Sequence, residues 1–467
     1  MSLKHNELDI PLENPFANCK LDRKKYAEVL TDIVGSYSDG FVLAINNQWG
    51  AGKTTFVKMW QKHLEQEERG YKTIYFNAWE NDFDNNPFIS ITAEINSLIN
   101  ISESDGSKSF LKAAAKITKS AIPAIAQHLS NKYLGISSIP DLAKEISEGA
   151  LSVLEEEINE YSIKKEGIEA FKVELAKYIN QFTSDKPLVI IIDELDRCRP
   201  NYAVEVLENI KHLFSVKGIV FVLSIDKVQL GHAVRGLYGS EQIDADEYLK
   251  RFIDIEYNIP KPDTKNYVRY LFEYYSFGEF FSSPSRMKVA EFTEDSNRFL
   301  LMAESLLSNS TLRQQEKIFT HSRLVLRAFK QNEYTFSHLL FFLIYLKIMH
   351  EDLFKKIDNK ELTLQQLSNE FGDMILSENY DSKLLNFVYI EAILLWFYNN
   401  SQHRTKKTNL IETDEAGIKT TPMKTKLSTN SNELINHFIS IDRASFDHVN
   451  LDFLLTKINL TESVILQ

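Results

Sequence analysis

Cysteine is almost absent: the chain of 467 residues holds two, Cys19 and Cys198, far apart in sequence. No disulfide framework and no cysteine-based zinc site can be built from them, which fits a reducing compartment. Long hydrophobic runs are also missing. The greasiest stretches, Leu339–Leu346 and Val388–Phe397, fall short of the roughly 20 apolar residues that span a bilayer. They read as buried helices, and the opening MSLKHNELDIPLENPF carries no apolar core for a signal peptide. A basic excess is lacking too, since the formal charge is −12. A surface basic throughout is thereby excluded, and nucleic acid is a possible partner but not an indicated one. Nor is there a repeat of fixed period, and none of the 11 histidines falls in a metal-spaced set such as H-E-x-x-H.

What is present is the composition of a globular protein, 43% hydrophobic and 25% charged, in a chain long enough for two to three domains. Residues 22–35 carry helical spacing. Phe41–Asn46 then reads as a buried strand, followed by a glycine-bearing turn and a helix. Lys72–Ala78 is a second strand, Pro187–Asp193 a third and Ile219–Ile225 a fourth, with a helix over Tyr202–Phe214. Apolar strands alternating with helices predict an α/β fold whose parallel sheet is covered by helices on both faces.

The expected organisation follows from these shifts in pattern. Residues 1–101 and 182–262 are expected to form the two parts of one α/β core, with a helical insert over 102–181. The insert's least polar part, Leu111–Ala126, is broken by Lys112, Lys116, Lys119 and Pro123 and is too costly to cross a membrane. A helical domain is expected over 263–400, a mobile polar loop over 401–432 and a helical segment over 433–467.

The turn between first strand and helix is Asn47-Gln48-Trp49-Gly50-Ala51-Gly52-Lys53-Thr54-Thr55. It matches GxxxxGK[ST] at every fixed position but the first, where Asn47 replaces glycine. Gly50 and Gly52 let the backbone curl so that N–H groups converge on phosphate. The helix from Lys53 aims its positive end at the same anion. Lys53 supplies a cation for the β- and γ-phosphates, and Thr54 a hydroxyl for Mg2+. Asparagine tolerates a left-handed backbone, so the turn can survive at residue 47. Trp49 is expected to pack beneath the loop.

A second acid must hold the metal, at the end of a neighbouring strand. Asp193, closing PLVIIID, has that position, and Glu194 follows as a base that orients the attacking water. Asp196 and Arg197 read as a local ion pair or as groups reaching a neighbouring subunit, Cys198 as a small buried residue, and Trp79 as core filling.

Four segments, QWGAGKTT, YFNAWEND (Tyr75–Asp82), IIIDELDRCRP (Ile190–Pro200) and FVLSIDKVQL with EYLKRFIDIEYNIP (Glu247–Pro260), together resemble the KAP family of P-loop NTPases. The resemblance spans roughly residues 10–330. It implies a sheet of the additional-strand class, related to AAA+ and signal-transducing NTPases. With the loop and the acid pair it points to hydrolysis of ATP with Mg2+, the alternatives being a nucleotide-dependent scaffold with negligible turnover or a nucleic-acid-associated motor or accessory ATPase. Many members carry transmembrane helices between loop and acidic strand, which this chain lacks. The family implies work in anti-phage defence or exclusion, through a homo-oligomer and a protein partner or effector acting in trans, here in the cytoplasm. By the same likeness Ser224 falls where related enzymes sense the γ-phosphate, with Asp226 competing for that role. Arg251 stands as the charge supplied to the transition state, and Arg313 resembles a sensor arginine.

Overall fold

A computed structural model describes residues 8–97, 109–117, 149–377, 387–446 and 449–465, apart from positions 38, 85, 116, 182, 184, 262, 414 and 416. The chain divides into two compact units, one over Leu8–Pro260 and a second from Lys261 onward.

In the first unit, α1 (Lys24–Ser36) leads to β1 (Phe41–Asn46), α2 (Lys53–Glu65) and β2 (Thr73–Asn77). Helix α3 (Pro87–Ser97) and the long α4 (Gly149–Asn180) come before β3 (Leu188–Asp193). Then follow α5 (Pro200–Asn209), β4 (Ile219–Ile225), α6 (Lys227–Tyr238), the short α7 (Ala245–Leu249) and β5 (Ile255–Asn258). The strands form one sheet in the order β2-β3-β4-β1-β5, and every neighbouring pair is parallel. The α/β expectation therefore holds. Every residue of β3 and β4 is buried, as their unbroken apolar runs require of central strands in a two-sided sheet.

Side chains alternate between two cores, because successive strand residues face opposite ways. Leu43, Ile45, Val189, Ile191, Val220 and Val222 pack against α1 and α2 with Phe56, Val57 and Trp60. Ala44, Ile190, Ile192, Phe221 and Leu223 face α3 to α6, where Phe88, Phe171 and Phe214 interlock. Part of the 102–181 insert joins this second core. Phe110 stacks on Tyr178 with ring centroids 4.8 Å apart. Most of Leu111–Ala126 lies outside the described residues.

Strand β5 was not foreseen. It alternates intermediate and exposed residues at the sheet's edge, so its four residues carry no apolar run to announce it.

The second unit is helical, with a largely apolar helix at Ser337–Met349 and another at Phe387–Ser401. Among the described residues no helix is long and apolar enough to cross a membrane. Residues 401–432, read as a mobile loop, hold a two-stranded hairpin and the buried Leu410 and Met423. The Gln365 side chain donates to the carbonyl of Lys424, and Thr425 donates to the buried Glu391.

Candidate functional site

The site lies at the carboxyl ends of β1, β3 and β4, within the first unit. Gly50 and Gly52 both take φ of 78°, a left-handed conformation that glycine alone adopts freely. This curl carries the chain from β1 into α2, whose first-turn N–H groups have no partner within the helix. Asn47 works differently from the expectation. It is not among the non-glycine residues with positive φ, so no left-handed tolerance is used there. Its side chain instead ties the start of the loop, donating to the Ile259 carbonyl at 3.2 Å and accepting from the Gln48 N–H at 2.8 Å.

Lys53 is 8% exposed, and Nζ donates to the carbonyls of Asn47 (2.6 Å) and Gln48 (3.3 Å). Burial pulls its pKa below the usual lysine value, while Asp196, Asp226 and Asp193 act in the opposite direction. The ammonium thus sits over the loop among acids. Thr54 and Thr55 follow in the first turn of α2.

Asp193 is 1% exposed and closes β3. Its register partners are Asn77 on β2 and Ser224 on β4, so these three side chains share one face at the ends of adjacent strands. Both carboxylate oxygens are held. Tyr75 donates its hydroxyl to one at 2.9 Å, and the Glu194 N–H donates to the other at 3.0 Å. Burial and the neighbouring Asp193 carboxylate push the Tyr75 phenol up, so it stays a donor. Ser224 is fully buried, and its hydroxyl finds no partner among the described residues.

Glu194 takes φ of 60°, a conformation uncommon outside glycine and asparagine. Its carboxylate pairs with Arg197 at 2.7 Å and lies 3.5 Å from the Asn77 amide. Burial raises its pKa above the ordinary carboxylate range, against the opposing pull of Arg197.

Several sequence readings need correction. Trp49 does not pack beneath the loop: it is 43% exposed, and its indole N–H donates to Asp196. The buried Asp196 therefore pairs with the loop rather than with Arg197. Trp79 fills no core, because the Asn77 side chain accepts from its backbone N–H and turns it outward. It is 53% exposed, with the Arg197 guanidinium 5.8 Å from its ring centre. Cys198 is buried as expected. Asp226 does two things: Oδ1 caps α6 through Val228 and Gln229, and Oδ2 accepts the Trp49 N–H at 3.1 Å.

Arg251 is not brought to the loop. Asp254, three residues further on, bonds Val42 at the amino-terminal start of β1. The loop leaves the other end of that strand, about 13 Å away at ~3.3 Å per residue. Arg251 is exposed, with its guanidinium 5.8 Å from the Tyr248 ring centre. Arg313 lies exposed on Leu312–Leu326 in the second unit.

Two groups escaped the sequence reading. Arg199 grips Asp82 through its backbone N–H (2.8 Å), its Nε (2.9 Å) and the Asp82 carbonyl, locking the loop after β2 to the loop after β3. Arg23 reaches the P-loop itself, and no motif signals it.

The parallel sheet, the left-handed glycines and the acid pair at the end of β3 define a P-loop NTPase. A model of the KAP family P-loop domain matches residues 23–341, well over half of the chain, and the protein belongs to that family. No curated protein matches it. Among solved structures it is similar to the ORC2 protein of Aeropyrum pernix, determined as ADPNP-ADP complexes. Identity there is 15% and the TM-score 0.32, over 91% of this chain and 94% of that one. It is also similar to a DNA replication initiation factor, at 15% identity and a TM-score of 0.30, over 96% of this chain and 97% of that one. Likeness at this level decides nothing further about fold or function.

Proposed function

We propose that this protein binds ATP with Mg2+ and hydrolyses it, using the cycle as a switch on a protein partner. One observation carries the reading. A loop with both glycines left-handed presents the start of α2 and Lys53 at the end of β1, and β3, separated from β1 by β4 alone, ends at the same edge of the sheet in Asp193 and Glu194. The residues fit a metal-bound triphosphate. Thr54 and the oriented Asp193 carboxylate would hold Mg2+, which commonly takes one or two protein carboxylates and fills its shell with phosphate and water. Bound there, the metal would neutralise charge on the phosphates. Lys53 stabilises the same charge, the loop amides orient the phosphates, and Glu194 takes the proton of the attacking water.

The pairing of Glu194 with Arg197 and Asn77 favours low turnover in the resting state, relieved when that carboxylate is released. We propose further, with the family resemblance as support, that the activity serves anti-phage defence or exclusion, in the cytoplasm and within a homo-oligomer. Lys53→Ala tests the reading at two levels. It is expected to abolish tight binding of a slowly hydrolysed ATP analogue in calorimetry, and with it any protection measured as plaque counts. Unchanged affinity would mean the loop is not the site. Lost affinity with unchanged plaque counts would remove the defence role alone.

A further inference from the structure

Arg23 precedes α1 and is 1% exposed. Its position is costly on two grounds. A fully buried guanidinium loses its hydration, and a cation at a helix amino terminus opposes the helix dipole. What it holds there is the P-loop. Nη1 donates to the Gly52 carbonyl at 2.8 Å and Nη2 to the Ala51 carbonyl at 2.6 Å. Asp22, with φ of 50°, turns the chain immediately before it.

Peptide planarity gives this grip a consequence. In a trans peptide the C=O of one residue and the N–H of the next point in opposite directions. Fixing the carbonyl of Ala51 fixes the N–H of Gly52, and fixing that of Gly52 fixes the N–H of Lys53. Both carbonyls are drawn to the guanidinium, so both amides are turned away from it. Those amides stand at the left-handed glycine and the first residue of α2, where an anion would be received.

We infer that Arg23 is a positioning residue for nucleotide binding: its forked guanidinium holds two P-loop carbonyls and thereby aims the Gly52 and Lys53 amides at the phosphates. The inference rests on the P-loop being the nucleotide site. Because the aimed amides serve bound substrate and transition state alike, the effect belongs in KM and Kd rather than in kcat. A lysine keeps the charge but cannot fork across two acceptors.

The test compares Arg23→Gln and Arg23→Lys with Thr31→Val, on the full chain. Thr31 joins α1 to α2 through a buried hydrogen bond from the Trp60 indole at 3.0 Å and does not touch the loop. Its loss loosens α1 without freeing the two carbonyls. Both Arg23 variants are expected to raise KM for ATP and Kd for an analogue by about tenfold or more, from the loss of one or two charge-assisted hydrogen bonds. The kcat at saturation is expected to stay within about twofold. Thr31→Val is expected to lower the melting temperature with Kd unchanged. Should Arg23→Gln fail to fold, Arg23→Lys decides the matter. Wild-type affinity in Arg23→Lys, or an equal rise of Kd in Thr31→Val at equal loss of melting temperature, would overturn the inference. Failure of the wild-type protein to bind nucleotide would instead remove the P-loop reading beneath it.

Discussion

Glu194 illustrates what a residue type alone does not disclose. An acid after an apolar strand reads as a water activator, but its protonation depends on burial and on which neighbours the fold turns toward it. Burial raises its pKa and Arg197 opposes that rise. A base works only when deprotonated, so turnover must fall as pH drops through the raised value. The acid limb of kcat/KM is therefore expected above the ordinary glutamate value of about 4.3. A pH–rate profile checks this. A limb at or below that ordinary value would show that Glu194 does not govern the reaction. The positions of Lys53 and Asp193 were legible because they follow from loop spacing and strand endings. The actual work of Asn47, Trp49 and Arg23 was not, since it consists of hydrogen bonds to Ile259, to Asp196 and to loop carbonyls. Those partners are set by tertiary packing.

At the scale of elements, four of the five strands of the parallel sheet were legible because they are apolar runs bounded by turns. Strand β5 was invisible for the converse reason, being a short polar edge. The loops after β2 and β3 looked like separate motifs, and the structure joins them through Asp82 and Arg199. Removing the Asp82 charge weakens two bonds at once, one of them to a backbone N–H. Asp82→Asn is expected to destabilise the first unit by about 1–2 kcal/mol, discounted for an arginine side chain that is 49% exposed. Turnover should fall as well, because the same loops carry Asn77 and Arg197 to Glu194. Denaturant melts with parallel phosphate-release assays measure both effects. Unchanged stability and turnover would mean that the lock is incidental.

The whole molecule divides near residue 260 into the sheet unit and a helical unit. The change from apolar strands to phenylalanine- and leucine-rich helices foreshadowed the helical part in sequence. Partner contacts leave no such pattern, and Arg251 shows the limit. Resemblance pointed to it as a catalytic charge, yet it stands toward the amino-terminal end of the sheet. Any catalytic use of it must therefore come from a neighbouring copy. Arg251→Ala is then expected to bind nucleotide without turnover, and mixing it with Glu194→Gln protein to restore partial activity. Activity returns because some interfaces pair an intact Glu194 with an intact Arg251. A mixture as inactive as its components would remove Arg251 from the chemistry.

The central claim, that the strand-end acids and the P-loop form one hydrolytic site, meets its most direct test in steady-state phosphate release from ATP by the wild-type and Glu194→Gln proteins. Calorimetry on both supplies the binding side. The substitution keeps the shape of the side chain and removes its charge. Wild-type protein is expected to turn over ATP, and Glu194→Gln to lose about 10²–10⁴ of that rate while binding ATP with Mg2+ at near wild-type affinity. Equal rates in the two proteins, or no phosphate release by wild type in the presence of ATP and Mg2+, would contradict the account.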